Sequence, residues 1–277
     1  RKGGEDVIEI TPAELTSANN LSSIAKILGL SDLTIAFTPI KDNKVRYSIA
    51  ENRRPEAEKL FKSATQAQMN TANTLIFEDS RNIELIDTQT EKHVYVDIDT
   101  GEEFQSVTKG IKGSMSAEDL ESKATYLFFG NKFDFILESL AFNKEFDEIA
   151  GELEGLDLNI ARQAYDIFQE QVNNLRSDGS ILVPQVIFHH EKSLRAGSAD
   201  IVVIHTDGSI SILDLKTSKF NLTGDYYSKL YTVNADDSVF DGASLSTRQQ
   251  HAIQIGAYAA MAEERGVTVR EMGVLAL

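Results

Sequence analysis

The strongest pattern in the chain lies between residues 181 and 216. Ile181-Leu-Val-Pro-Gln-Val-Ile-Phe-His-His190 is a nearly continuous apolar run, short enough and β-branched enough to be a buried strand. Two further runs, Asp200-Ile-Val-Val-Ile-His205 and Ser209-Ile-Ser-Ile-Leu-Asp-Leu-Lys216, flank the turn Thr206-Asp-Gly208 and predict a β-hairpin. An Asp opens the first run and Asp214-x-Lys216 closes the second. Charges at the ends of two apolar strands are costly unless they bind something.

The turn sets the register. A two-residue loop, Asp207-Gly208, would send Asp200 and Asp214 to opposite faces, because strand side chains alternate. A three-residue loop, Thr206-Asp207-Gly208, is a type I turn closed by a left-handed Gly with a G1 bulge. It sets Asp200 opposite Asp214, with Lys216 two residues further on the same face. Facing carboxylates repel, and a cation between them relieves the repulsion. The three-residue loop is the expectation.

Around this hairpin the periodicities change. Before it, Asp119 to Phe142 reads as a long helix, apolar on more than one side and therefore largely buried. Within it Gly130-Asn-Lys-Phe-Asp134-Phe-Ile-Leu-Glu138 places Asp134 one turn beyond Gly130. A second helix is expected from about Asn159 to Leu175, with Ile160, Ala164, Ile167, Phe168 and Val172 on its core face. After the hairpin, Phe220 to Ser246 is a long, poorly patterned connection rich in Tyr, Asp and Gly. Its Tyr226, Tyr227 and Tyr231 either stack on unpaired bases or fold back on the core. Arg248 to about Glu264 is helical, capped by Gly266, and Met272 to Leu277 reads as a strand. Gln254 and Tyr258, at i and i+4, share one face of that helix.

The first third is weaker in pattern. Thr11-Pro-Ala-Glu14 starts a helix that runs to about Leu28. Strands are expected near 33–38 and 45–50, joined by a turn at Lys41-Asp-Asn-Lys44. Pro55 opens a helix to about Asn73, and short strands follow near 83–87, 93–97 and 103–108. Glu51-Asn-Arg53-Arg54 reads as a solvated charged turn. No catalytic constellation precedes residue 95. No Gly-x-x-x-x-Gly-Lys occurs, so no P-loop motor lies in this segment. His189 and His190 are adjacent and face opposite ways on a strand, which argues against a metal pair.

Composition narrows the chemistry. A chain of 277 residues can bury one large core or two small ones. It has no Cys, so disulfides and Cys-ligated zinc or iron–sulfur clusters are excluded. No apolar run reaches the length of a membrane span, and the expected compartment is the cytoplasm. The chain starts at Arg1 and stops on an apolar run, so it is expected to be a segment of a longer protein. The net charge of −16 argues against nucleic-acid binding. Thirty of the 43 acidic residues but only 16 of the 27 basic ones lie beyond residue 90. Any nucleic-acid binding by this segment alone should therefore be weak and salt-sensitive.

Three marks occur in order: Gly130-x-x-x-Asp134-x-x-Leu-Glu138, Gly197-x-x-Asp200 followed by Asp214-x-Lys216-Thr217, and Gln254-Ile-Gly-Ala-Tyr258. With them the chain resembles the PD-(D/E)XK nuclease superfamily, most closely its RecB-like exonuclease branch without an iron–sulfur cluster. Phe104-Gln-Ser106-Val-Thr108 is similar to the Ser-Val-Thr that opens many phage and organellar members. The resemblance covers roughly residues 95–277. It departs from the family in having Asp134 where His is usual. Gln185 stands at the likeliest place of a family Glu, with Glu191 the alternative by shifted register.

The resemblance implies an α/β fold with a mixed central sheet flanked by helices, as a nuclease domain over 95–277 beside a small α/β accessory region over 1–94. It implies a Mg²⁺- or Mn²⁺-dependent nuclease acting on single-stranded DNA or DNA ends. A helicase or a replication or recombination protein would be its partner, in a bacterial or phage-infected cell. Asp200, Asp214 and Lys216 would be catalytic. Asp134, Asp200, Asp214 and the Leu215 carbonyl would hold the metal, as hard oxygen ligands suit it. Thr217, Lys219, Arg248, Gln254 and Tyr258 would hold the substrate backbone or the lysine. The competing expectation is a degenerate nuclease fold serving as a DNA-binding or assembly module without catalysis.

Overall fold

The computed structural model describes residues 46–47, 54–78, 81–87, 93–112, 130–216, 230–233 and 240–276. The helix expected from Thr11, the strand at 33–38 and the turn at 41–44 lie outside the described residues. So do the start of the helix expected from Asp119, Arg53, Thr217, Lys219, Tyr226 and Tyr227.

The apolar runs become three neighbouring strands of one sheet: β5 (Ile181–His190), β6 (Arg195–Ile204) and β7 (Ile210–Lys216). The short strands expected before them form β2 (Ile83–Asp87), β3 (His93–Asp97) and β4 (Glu103–Ser106), preceded by β1 (Arg46–Tyr47). The strand expected near the end is β10 (Val269–Ala276). The order is β1-β2-β3-β4-β6-β7-β10, with β5 paired to β6. The β4–β6 and β7–β10 pairs are parallel and the rest antiparallel, so the sheet is mixed. In the connection expected to be irregular, β8 (Leu230–Thr232) and β9 (Ser244–Ser246) form a separate two-stranded ribbon.

Helices cover both faces. On one side α7 (Thr247–Glu264) packs Ile255, Tyr258 and Ala262 over Val183, Val202, Ile204, Ile210 and Ile212. On the other, a helix over 130–141 (α4) and α6 (Leu158–Arg176) pack Ile136, Leu140, Phe168 and Val172 over Leu182, Ile201, Val203 and Leu215. Two short helices, α3 (Lys109–Lys112) and α5 (Phe146–Ile149), complete the cover. The alternation of even and odd residues in β7 sorts its side chains between the two cores. Ile160 and Ile167, expected on the core face of α6, are exposed, while Ala161, Ala164, Phe168 and Val172 carry the packing.

The helix expected from Pro55 to Asn73 is two helices, α1 (Arg54–Leu60) and α2 (Gln66–Ala72). Thr65 caps the second: its hydroxyl accepts from the Gln68 N–H, and Gln68 Oε1 accepts from the Thr65 N–H at 2.9 Å. This Thr-x-x-Gln capping box is legible in the sequence and ends the first helix by starting the second. The cap also docks the pair. Thr65 donates to the Thr206 carbonyl at 2.9 Å, Thr71 to the Gly208 carbonyl at 2.6 Å, and Gln68 to the Ile204 and Gly179 carbonyls. Phe61, Ala72 and Leu75 join the α7-side core. Residues 54–78 thus lie against the central hairpin, and the sheet runs unbroken from β2 through β3, the strand in which residue 94 falls.

On one edge β6 pairs with β5 along its length. Its other edge is shared: β4 meets Arg195 and Ala196, and β7 meets Ile201 to Ile204. Residues 197–200 stand between them with no ladder partner on that edge among the described residues. This notch holds the candidate site. Gly208 anchors the hairpin that forms one side of it, at φ +84°, where a methyl group would lie 2.9 Å from the Ala67 carbonyl oxygen. Gly208→Ala is expected to destabilise the fold by about 1–2 kcal/mol from the left-handed backbone alone, with the clash adding to it. Urea unfolding of wild type beside the variant checks this.

Candidate functional site

The hairpin loop has the expected three residues. The Gly208 N–H donates to the His205 carbonyl at 2.8 Å and the His205 N–H to the Ser209 carbonyl at 2.9 Å. The ladder then runs Ile204↔Ile210 to Ile201↔Leu213, which carries Asp200 to the place opposite Asp214. A two-residue loop would have parted them. The strands diverge beyond this point, so the carboxylates lie where the ladder opens.

Each carboxylate has donors around it. The Leu215 N–H donates to Asp200 Oδ2 at 2.6 Å. Gln254 Nε2 donates to Asp214 Oδ1 at 3.2 Å, and Lys216 Nζ is ion-paired with Asp214 Oδ2. Lys216 Nζ also donates to the Leu215 carbonyl at 3.1 Å. Gln254 Nε2 reaches Tyr258 OH as well, at 3.1 Å, so both acceptors of the amide nitrogen belong to the site. With that nitrogen fixed, Gln254 Oε1 is buried and accepts no hydrogen bond among the described residues.

Tyr258 is held from two sides. Its ring stacks on Phe188, centroids 5.8 Å apart and planes 16° apart. It also lies over bare backbone: a methyl at Gly197 would sit 2.3 Å from its Cε1. The glycine of Gly-x-x-Asp is therefore a packing requirement, since only an unsubstituted Cα admits the ring. Next to it Tyr95 OH accepts from the Ser198 N–H at 3.0 Å, satisfying a donor that the notch leaves without a strand partner.

The electrostatics follow from burial and crowding. Asp200 is half-buried by surface area. Loss of water, then the charges of Asp214 and Asp134, push its carboxyl up to about 8, against the opposing pull of Lys216 and the Leu215 N–H. For Lys216 burial works against the charge, but Asp214 and Asp200 outweigh it and raise the ammonium above its ordinary value. Burial, then the neighbouring Tyr95, raises the Tyr258 hydroxyl well above the ordinary tyrosine value.

The structure thus gathers Asp200, Asp214, Leu215, Lys216, Gln254 and Tyr258. Asp134, half-buried on α4, is near enough for its charge to act on Asp200 and Lys216. Arg248 is exposed in the first turn of α7 and has no hydrogen bond or ion pair with the site residues. Gln254 reaches Asp214 rather than the lysine. Gln185 stands across β5 from Asp200, between the pairs Pro184↔Ile201 and Val186↔Ala199, in left-handed backbone at φ 53°. Its Oε1 accepts from Ser198 Oγ at 3.1 Å. Glu191 sits in the β5–β6 turn and pairs with Arg81 at 3.3 Å. The position beside Asp200 is therefore an amide. His189 packs edge-on against Phe104 and His190 meets Ser193. Tyr95 and the contact made by Gly197 were missed; a tyrosine in a five-residue strand carries no signal of its own.

The donor set fits a hard divalent cation. Its atoms are carboxylate and carbonyl oxygens, and Asp214 Oδ2 is buried with no hydrogen bond of its own beside the Lys216 ion pair. Among the described residues no three acidic or histidine side chains cluster tightly enough to cage a metal alone. Two carboxylates and a carbonyl suit an ion that keeps part of its water, as Mg²⁺ does. Lys216 now contacts two of those oxygens, on Asp214 and Leu215, so an ion must take them from the ammonium.

No family model, curated protein or solved structure matches the chain.

Two outcomes follow for the isolated site. Asp200 has a folded-state value of about 8 against an unfolded value of about 3.9. Its stabilising contribution is fully present below about pH 4 and is lost as pH rises to about 8. In chelator, the urea midpoint of wild type should fall relative to Asp200→Asn between about pH 5 and pH 8; parallel curves would contradict the shift. Lys216→Met removes both the competitor and a repelling charge. Calorimetry should show it binding Mn²⁺ at least about tenfold more tightly than wild type, or ~1.4 kcal/mol.

Proposed function

We propose that the chain is a metal-dependent nuclease with a PD-(D/E)XK core of the RecB-like exonuclease branch. It would hydrolyse DNA phosphodiester bonds at ends or in single strands, as part of a longer DNA-processing protein. The observation that carries this reading is the facing pair Asp200 and Asp214, with Lys216 on the latter, at an opening in the sheet. A fold has little reason to hold two carboxylates and an ammonium there unless they bind or react.

Asp200, Asp214 and the Leu215 carbonyl would hold Mg²⁺ or Mn²⁺, with Asp134 adding negative charge nearby. The ion supplies positive charge for the crowded phosphoryl oxygens and makes water a better nucleophile at neutral pH. The rest belongs to the chain. Lys216, released from Asp214, places its ammonium beside the phosphate or orients the attacking water. Gln254 fixes Asp214 through Nε2 and leaves Oε1 to accept from water or substrate. Tyr258, wedged between Phe188 and Gly197, fixes Gln254. The raised value of Asp200 favours a proton on that carboxyl until a cation displaces it.

One observation favours the second reading, a nuclease fold that binds or assembles without cutting. Gln185 puts a neutral amide next to Asp200, where the family resemblance implies Glu. Cleavage of end-labelled single- and double-stranded DNA with Mg²⁺ or Mn²⁺ decides. Metal-dependent cutting by wild type, reduced at least a thousandfold in Lys216→Ala, is the expected result. Wild type that neither cuts nor binds metal by calorimetry would leave only the binding module.

A further inference from the structure

A second concavity lies on the adjoining flank of α7. It is an open groove of about 500 Å³, within the range of small-molecule sites. Ile253, Ala257 and Met261 of α7 form its floor together with Ile111 of α3, and Phe240 stands at its side. Ile253 and Ala257 each precede a site residue, Gln254 and Tyr258. At about 100° per residue the groove and the site open on neighbouring flanks of one helix.

The groove combines two chemistries. Its floor is apolar, of Ala, Ile and Met side chains, with the Phe240 ring also lining it. Its rim carries Arg195, at the start of β6, whose guanidinium has no hydrogen bond or ion pair among the described residues. The one acid among the lining residues, Glu264, lies against His190, whose Nε2 is 3.4 Å from its Oε2. A purely apolar ligand would leave the guanidinium idle, and a simple anion would leave the floor in water. A nucleotide offers a flat base for the floor and a phosphate for the arginine.

We propose that this groove binds a nucleotide, base against the floor beside Phe240 and phosphate on Arg195. The strand form rests on the nuclease reading above: the nucleotide is then the end residue of a strand crossing α7 from the notch. The free form is a nucleoside monophosphate.

The test uses the full chain carrying Lys216→Ala, so that no strand is cut, in metal-free buffer. Calorimetry with dAMP and with a single-stranded octamer compares this protein with versions that add Arg195→Ala or Ala260→Trp. Ala260 is exposed and lines the groove, so Trp fills it without entering the core; urea midpoints verify folding. Either change is expected to weaken dAMP binding at least tenfold, and deoxyribose 5-phosphate should bind more weakly than dAMP. Parallel loss of octamer binding identifies the strand form, and loss confined to dAMP identifies the free form. If dAMP does not bind, or binds equally to all versions, the proposal is overturned. The two readings fail separately. Cutting abolished by Lys216→Ala, with binding blind to both groove changes, removes the groove alone. Groove-dependent binding without metal-dependent cutting removes the nuclease alone.

Discussion

Two carboxylates facing each other across a strand pair are the constraint on which this molecule turns. Like charges opposite one another in a sheet repel, and here they do so with little water to screen them. The chain meets the repulsion with one ammonium, one backbone N–H and one amide nitrogen. Those three donors fix the surroundings. Lys216 must follow Asp214 by two, so that both face the same way. Leu215 must keep its N–H off the β6 ladder, which requires the strands to part. Gln254 must come from a helix across that face, and Tyr258 one turn on must lie flat on a glycine to hold it there. The opening in the sheet and the site are one feature.

Much of this was legible because it is local. Thr206-Asp207-Gly208 narrows the loop to two or three residues, and loop length dictates which aspartates face each other. Gln254 and Tyr258 share a flank through helix geometry alone, and the Gly266 turn after them needs only a glycine: its N–H and that of Val267 close on the Glu263 and Ala262 carbonyls. What stayed hidden is non-local. The spacing of β3 says nothing of Tyr95 reaching Ser198, about a hundred residues later. Gly197 reads as part of a motif, while its cause is a ring from α7. The break at Thr65 was readable, since Thr-x-x-Gln is a start signal, although the expectation carried one helix from Pro55 to Asn73. The division at residue 94 marked the reach of the family resemblance; in the structure that residue lies within β3, paired on both sides. Arg248 shares a helix with Gln254 without sharing its flank, which a motif cannot tell and a helical wheel can.

The acidity of the chain has a structural counterpart in how its cations are used. Arg81 is bound by Asp97 at 2.8 Å, Glu102 at 3.2 Å and Glu191 at 3.3 Å, tying the β2–β3 hairpin to the β5–β6 turn. Arg176 is spent on the Ala141 and Leu140 carbonyls and on Asn143, where α6 meets the end of α4. Lys144 pairs with Glu56, and Arg162 with Asp147 while lying over Phe146. These cations join elements of the fold.

The notch also bears on the order in which the molecule can fold. Its walls come from β4 and β7, and its contents from residues near 95, 134, 200, 215 and 256. β4 reaches β6 only through the parallel pairing of Gln105 and Ser106 with Arg195 and Ala196, and β10 follows β7 only after α7. Pairings of such sequence separation form slowly, because the long loops must close before any contact rewards them. The hairpin β6–β7 can form early from local contacts, but at that stage its two aspartates are in water and screened. They come into conflict only when α7 and β3 arrive and exclude that water. The conflict between the two aspartates thus sharpens only as elements distant in sequence close over the hairpin.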